Sequence, residues 1–105
     1  MALRLLGGPT NNTGSPRLWL DEERNLYLAQ GYPVPGDNGQ VEIPHMLLRW
    51  LQPGTYMGSE MRDSGRGSFL VAGQPITSQD ILEQMKIPDH ETAVEVPVAK
   101  SPWEW

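Results

Sequence analysis

Cysteine is absent from the 105 residues, so the chain has no disulfide, no thiolate nucleophile and no cysteine-bound zinc. Basic residues are scarce: eight Lys and Arg face thirteen Asp and Glu, for a net charge of −5. That balance excludes a broad phosphate-binding face, because non-specific nucleic-acid affinity is built from clustered cations. Apolar residues are 38% of the chain and Phe occurs once, so one small core is expected, with Trp19, Trp50, Tyr27 and Phe69 supplying much of it. No segment approaches the ~20 consecutive apolar residues that cross a bilayer. The opening MALRLLGG has one Arg and an apolar patch too short for the core of a secretion signal. A cytoplasmic protein is the expectation.

Catalytic signatures are also missing. No Gly-x-Ser-x-Gly, His-Glu-x-x-His or P-loop pattern occurs. No enzyme activity, cofactor or resident metal is therefore expected. The two histidines are His45 and His90. Asp89-His90-Glu91 puts three potential ligands in a row, but neighbours in an extended chain point to opposite faces, so the segment reads as a solvated turn before a strand.

Glycine and proline, by contrast, are plentiful. Eleven Gly and ten Pro form about a fifth of the chain and favour short strands joined by turns. The expected class is α+β, mainly antiparallel β. Residues 1–16, with the turn-rich GGPTNNTGSP, are expected to be a flexible leader. Residues 17–105 are expected to be a single domain.

That domain repeats itself. RNLYLAQGYPV (Arg24–Val34) is echoed by RGSFLVAGQPI (Arg66–Ile76), and QVEIP (Gln40–Pro44) by TAVEVP (Thr92–Pro97). The first match lays Asp21 on Asp63, Arg24 on Arg66, Tyr27 on Phe69 and Gly31 on Gly73. The second lays Val41 on Val94, Glu42 on Glu95 and Trp50 on Trp103. Two pseudo-repeated β units, 17–52 and 59–105, are expected to share one core, with Val41–Ile43 near Val94–Val96 about an approximate two-fold axis.

Along the first unit, Leu18 and Leu20 share a face opposite Trp19, and Leu26, Leu28 and Gln30 alternate with Tyr27 and Ala29, a hairpin pattern. Asp37-Asn38-Gly39 predicts a tight turn before a strand at Gln40–Ile43. Pro44 then opens a predicted short helix over HMLLRWL. In the second unit a strand is predicted at Ser68–Ala72. A second helix follows, capped by Thr77 with Asp80 and stopped before Pro88, and the last strand spans Thr92–Val98. Gly31 and Gly73 end equivalent strands and predict a positive φ or a bulge.

The candidate contact residues are Trp103 and Trp105, large rings at a chain end, together with Glu42 and Glu95. Each glutamate alternates with apolar neighbours. They read as a solvent-facing row or as a paired acidic patch for a basic partner. For the tryptophans the alternatives are packing on the chain's own core and contact with a partner or a second copy.

Over Arg62–Pro97, GRGSFLVAGQPITSQDILEQMKIPDHETAVEVP resembles a group of small actinobacterial proteins with a YLVQGW strand, a short helix and an ending like IPDHETVVEVP. Ala72 and Gln74 depart from it, where Gln and Trp are usual. Members are often encoded beside helix-turn-helix regulators. The resemblance implies a regulatory accessory with a protein partner, such as such a regulator, and implies no catalytic residue. Over Asp37–Val71, DNGQVEIPHMLLRWLQPGTY is similar to AbrB-type swapped-hairpin proteins, which bind DNA as intertwined dimers or act as antitoxins. That resemblance implies a homodimer contacting nucleic acid through Arg49, Arg62 and Arg66. Its strand nevertheless carries Gln40 and Glu42 where a DNA face needs cations. The expected function is a non-enzymatic protein-interaction module, accessory to a transcriptional regulator or neutralising a toxin, with DNA binding as the alternative.

Overall fold

Strand-forming runs broken by Gly and Pro dominate the computed structural model, which describes residues 3–8 and 16–102. The strands are β1 (Leu3–Gly7), β2 (Arg17–Asp21), β3 (Leu26–Val34), β4 (Asp37–Pro44), β5 (Thr55–Met57), β6 (Met61–Asp63), β7 (Ser68–Ala72), β8 (Gln74–Pro75) and β9 (Thr92–Lys100). A 3-10 helix, His45–Trp50, follows β4, and one α-helix, α1 (Gln79–Met85), precedes β9. All strand pairs are antiparallel. The protein is thus mainly antiparallel β with little helix.

The ladders close on themselves. β3 gives its first half to β9 (Tyr27↔Val96, Leu28↔Glu95, Ala29↔Val94) and its second to β4 (Tyr32↔Glu42, Pro33↔Val41). β4 pairs with β7 (Val41↔Val71, Glu42↔Leu70, Ile43↔Phe69), and β8, one residue beyond β7, returns to β9 (Gln74↔Glu95, Pro75↔Val94). The circuit β3–β4–β7/β8–β9–β3 wraps a core of Leu18, Leu20, Tyr27, Ala29, Val41, Ile43, Leu47, Val71, Val94 and Val96. Val41–Ile43 and Val94–Val96 share that core.

Gly31 and Gly73 stand where the two long strands pass from one partner to the other. A Cβ at Gly31 would lie on the backbone oxygen of Glu42, and one at Gly73 would lie 2.6 Å from that of Glu95. Neither glycine has positive φ. Of the two expected alternatives, a positive φ or a bulge, the positive φ is not adopted, and lack of space is what requires glycine there.

The outer face of the β2–β3 hairpin is also covered. Leu28 and Ala93 pack with Ile81 and Met85 of α1, flanked by Trp19, Leu26, Ile76 and Ile87. The cap of α1 is Ser78, whose Oγ accepts from Ile81 N at 3.4 Å, one residue after the predicted Thr77. Lys86 ends the helix in the left-handed region at φ 51°.

Several expectations are corrected. The leader predicted over residues 1–16 contains β1, which Leu3–Gly7 form by pairing with β2. Their apolar run finds a hairpin edge to complete. The turn before β4 is at Pro35-Gly36, where Gly36 takes φ 79°, and Asp37-Asn38-Gly39 are already strand. HMLLRW forms a 3-10 helix rather than an α-helix, buries only Leu47, and is cut off by the extended Leu51 before Pro53-Gly54. Trp50 is 37% exposed, with its ring on Gly7, rather than a core anchor. Trp19 and Phe69 are only partly buried, whereas Tyr27 is fully buried. Strand β9 runs two residues past the predicted Val98 because β5, absent from the sequence reading, pairs with its end. No helix among the described residues is long and apolar enough to cross a membrane.

Candidate functional site

Two arginine–glutamate pairs join the strands across the circuit, and the sequence foreshadowed neither. At the end of β2, where the turn to β3 begins, Asp21 is fully buried. Its Oδ1 accepts from the backbone N–H groups of Glu23 and Arg24, both at 3.1 Å, and its Oδ2 accepts from Arg24 Nε at 2.7 Å. Arg24 then donates through Nη2 to Glu95 Oε2 of β9 at 2.5 Å. Burial pushes the Asp21 carboxyl up, but the bonds from Arg24 and Glu23 outweigh it and hold the group below its ordinary value. Arg24 is raised, chiefly by Glu95 and then by Asp21.

The counterpart lies between β4 and β7. Arg66 donates to both carboxylate oxygens of Glu42, from Nε at 2.8 Å and from Nη2 at 2.5 Å, and Ser68 Oγ donates to Oε2. Ser64 Oγ, 2.6 Å from Ser68 Oγ, extends the chain of polar groups. The Arg66 bond first, and the Ser68 bond second, hold Glu42 below its ordinary value. Asp63 remains at the surface and meets His45 Nε2 at 3.1 Å, while the His45 ring packs on Phe69.

These contacts revise the reading of Glu42 and Glu95. Their side chains are 12% and 15% exposed, and each is held by an arginine of the chain itself. They form neither an open row facing solvent nor a free acidic patch, because the arginines placed one turn ahead of β3 and β7 reach across to them. Arg66, a candidate for phosphate contact, is likewise occupied by Glu42. Arg49 is exposed in the 3-10 helix and Arg62 is exposed in β6. Trp103 and Trp105 lie outside the described residues.

The Glu42–Arg66 pair forms the polar wall of a groove of about 320 Å³. Its other walls are Pro16, Tyr32, Ile43, Pro44 and Met46. Tyr32 and Met46 are 46% and 44% exposed. The bend of β3 at Gly31 carries Tyr32 onto β4, and Pro44 starts the 3-10 helix that presents Met46. Sequence reasoning passed over both residues. The available signal was Tyr32 directly after a repeated glycine, at the position matched by Gln74.

Asp89 and His90 are exposed, as expected of a solvated turn, but Glu91 beside them is buried. Its Oε1 accepts from Gln30 Nε2 at 2.8 Å, and Gln30 Oε1 accepts from Trp19 Nε1 at 3.0 Å. No group of three or more metal-ligating side chains is gathered among the described residues. The chain matches no family model, no curated protein and no solved structure.

Proposed function

We propose that the chain is a non-enzymatic interaction module that receives a protein partner in the Tyr32–Met46 groove. The observation that carries this reading is the composition of the groove: an apolar floor, two large exposed side chains, and an arginine fixed at the rim. Tyr, Met and Arg are enriched in protein interfaces, and interface energy concentrates where such anchors enter a closed pocket. Because Glu42 already fixes Arg66, less side-chain freedom is lost on binding. The net charge of −5 favours a basic partner by long-range attraction. A helix-turn-helix regulator, the partner class implied by the actinobacterial resemblance, or a toxin fits that description.

The same reading treats the fold as two pseudo-repeats that exchange strands about an approximate two-fold axis. In its support, the sequence match that lays β3 on β7 and β4 on β9 also lays the β3–β9 pairs on the β7–β4 pairs, residue for residue. It lays Tyr32↔Glu42 on Gln74↔Glu95, and the Arg24–Glu95 ion pair on Arg66–Glu42. Crossed ladders of this kind also favour the swapped-hairpin resemblance, and DNA binding through Arg49 and Arg62 is the second reading.

The test is capture from native lysate by the wild-type chain, by Tyr32→Ala/Met46→Asp, and by a chain lacking residues 101–105. The expected result is one partner, lost with the groove variant while its melting temperature stays near wild type. Capture that survives in the groove variant and fails only on truncation would move the site to the tail. A salt-dependent gel shift of DNA, lost in Arg49→Ala/Arg62→Ala, would establish the alternative.

A further inference from the structure

Asp37-Asn38-Gly39 reads from the sequence as a tight turn, yet all three residues lie in β4. Gly39 has no positive φ. A Cβ there would come no closer than 3.3 Å to Asp37 Oδ1 and 3.5 Å to Gly73 O, unlike the backbone collisions at Gly31 and Gly73. Neither conformation nor space singles out glycine at this position. Its effect is chemical: Asn38-Gly39 is the one Asn-Gly pair of the chain, and glycine leaves the amide nitrogen after Asn38 without a shielding side chain.

Such a pair is prone to rearrange. The Gly39 nitrogen gives up its proton to solvent base and attacks Asn38 Cγ. The new C–N bond closes a five-membered succinimide, while the Cγ–N bond of the side-chain amide breaks and its NH2 group leaves, with a proton, as ammonia. Water then opens the ring at either carbonyl, giving aspartate or isoaspartate. Asn38 is exposed, so solvent reaches the amide.

The first step is obstructed here. Gly39 N–H donates to Asp37 Oδ1 at 2.8 Å, and Gln40 Nε2 donates to Asp37 Oδ2 at 2.6 Å. The Gln40 bond first, and the Gly39 bond second, hold Asp37 below its ordinary value, so the carboxylate stays charged at neutral pH. Removing the Gly39 proton would put a second negative charge 2.8 Å from that carboxylate and forfeit a charge-assisted bond. The carbonyl side of Gly39 is fixed too, since Gly39 O accepts from Gly73 N at 2.9 Å.

We infer that Asn38 is an isoaspartate-forming site kept closed by Asp37, which clamps the nitrogen that would attack it. Conversion to isoaspartate would insert a methylene into the backbone of β4 just ahead of the Gln40↔Ala72 pair and would displace Gly39 O from Gly73 N. Asn38 does not line the partner groove, so the site stands whether or not that groove is occupied.

The experiment incubates the full chain, Asp37→Ala and Gly65→Ala in one neutral buffer, beside a synthetic peptide of residues 35–43. Aspartate and isoaspartate at position 38 are quantified by peptide mapping and mass spectrometry. The wild-type chain should convert at least about tenfold more slowly than the peptide, the factor that a hydrogen bond to a charged group contributes. Asp37→Ala should regain that factor while still folded. Gly65 lies in the turn at the other end of β7, so Gly65→Ala should convert at the wild-type rate although it is less stable. Asp37→Asn keeps a side-chain oxygen without the charge, should also speed conversion, and serves if Asp37→Ala fails to fold. Wild-type conversion as fast as the peptide's, or a folded Asp37 variant no faster than wild type, would overturn the inference. Equal acceleration in Gly65→Ala would overturn it as well, by assigning the protection to overall stability.

Discussion

Replacing Gly31 by alanine probes the crossing of β3 over β4 with a single methyl group. The new Cβ would land on the backbone oxygen of Glu42 and lie 3.0 Å from Ile43 Cγ2. A side-chain tip could swing away; a strand backbone cannot, because β4 is held on its other edge by β7 through Glu42↔Leu70 and Ile43↔Phe69. Overpacking of this kind costs about 1–3 kcal/mol, and weakening one ladder hydrogen bond adds about 1 kcal/mol. The loss of unfolded-chain freedom on going from Gly to Ala returns about 0.4–1 kcal/mol. The net is a destabilisation of about 2–3 kcal/mol, or a fall in melting temperature of about 10–20 °C for a domain of this length. Gly65→Ala is the control. It has φ 85° and open space around the new Cβ, so it should cost only the left-handed backbone penalty of about 1 kcal/mol. Urea unfolding followed by tryptophan fluorescence measures both. A Gly31→Ala chain as stable as wild type, or no less stable than Gly65→Ala, would refute the close-approach argument.

Gly73→Ala should behave like Gly31→Ala, since its Cβ meets Glu95 O at 2.6 Å and Val94 Cγ2 at 2.8 Å. Asp21→Asn should lower stability at pH 7 by about 2 kcal/mol through the lost charge-assisted bonds. Asp21 is held below its ordinary 3.8 when folded, so its contribution is present above that value and disappears as pH falls. The gap between Asp21→Asn and wild type should therefore narrow in acid, and urea midpoints that stay equally separated from pH 7 to pH 3 would contradict this. Tyr27→Phe removes the hydroxyl that accepts from Gln52 N at 2.8 Å and meets Thr55 Oγ1. It should cost about 1–2 kcal/mol by leaving a partner unsatisfied, with a melting temperature unchanged from wild type as the contrary outcome.

Local periodicity made β2, β3, β4, β7 and β9 legible, because each alternates between a core face and a second face. Tyr27 and Ala29 point into the main core, and Leu28 lies under α1. The short strands β5 and β6 were not legible, and β1 was read as leader. Three to five residues carry too little pattern, and their conformation is fixed by distant partners: β1 by β2, β5 by the end of β9 and β6 by β7. The same limit governed the charged groups. Glu42 and Glu95 looked exposed because alternation places them away from the core, yet Arg66 and Arg24 lie 24 and 71 positions away and cover them only once the strands have crossed. Glu91 shared a polar run with Asp89 and His90, and only the packing of Gln30 beside it reveals it as buried.

The differences between matched positions account for the groove more directly than the matches do. The alignment that lays Arg24–Glu95 on Arg66–Glu42 also lays Leu26 on Ser68, Tyr32 on Gln74 and Met46 on Ala99. Around Glu95 the arginine is braced by the buried Asp21, which takes two backbone N–H groups and the guanidinium together. Around Glu42 the matched Asp63 is exposed and turned to His45, and Ser68 supplies the second bond to the carboxylate instead. Glu42 is thereby satisfied without an aspartate beneath its arginine, and Arg66 stays 74% exposed while keeping a fixed direction. Tyr32 and Met46 then build walls that Gln74 and Ala99 are too polar or too small to build. A second apolar groove of this kind is therefore not expected around Glu95, where Gln74 and Ala99 stand at the positions aligned with Tyr32 and Met46.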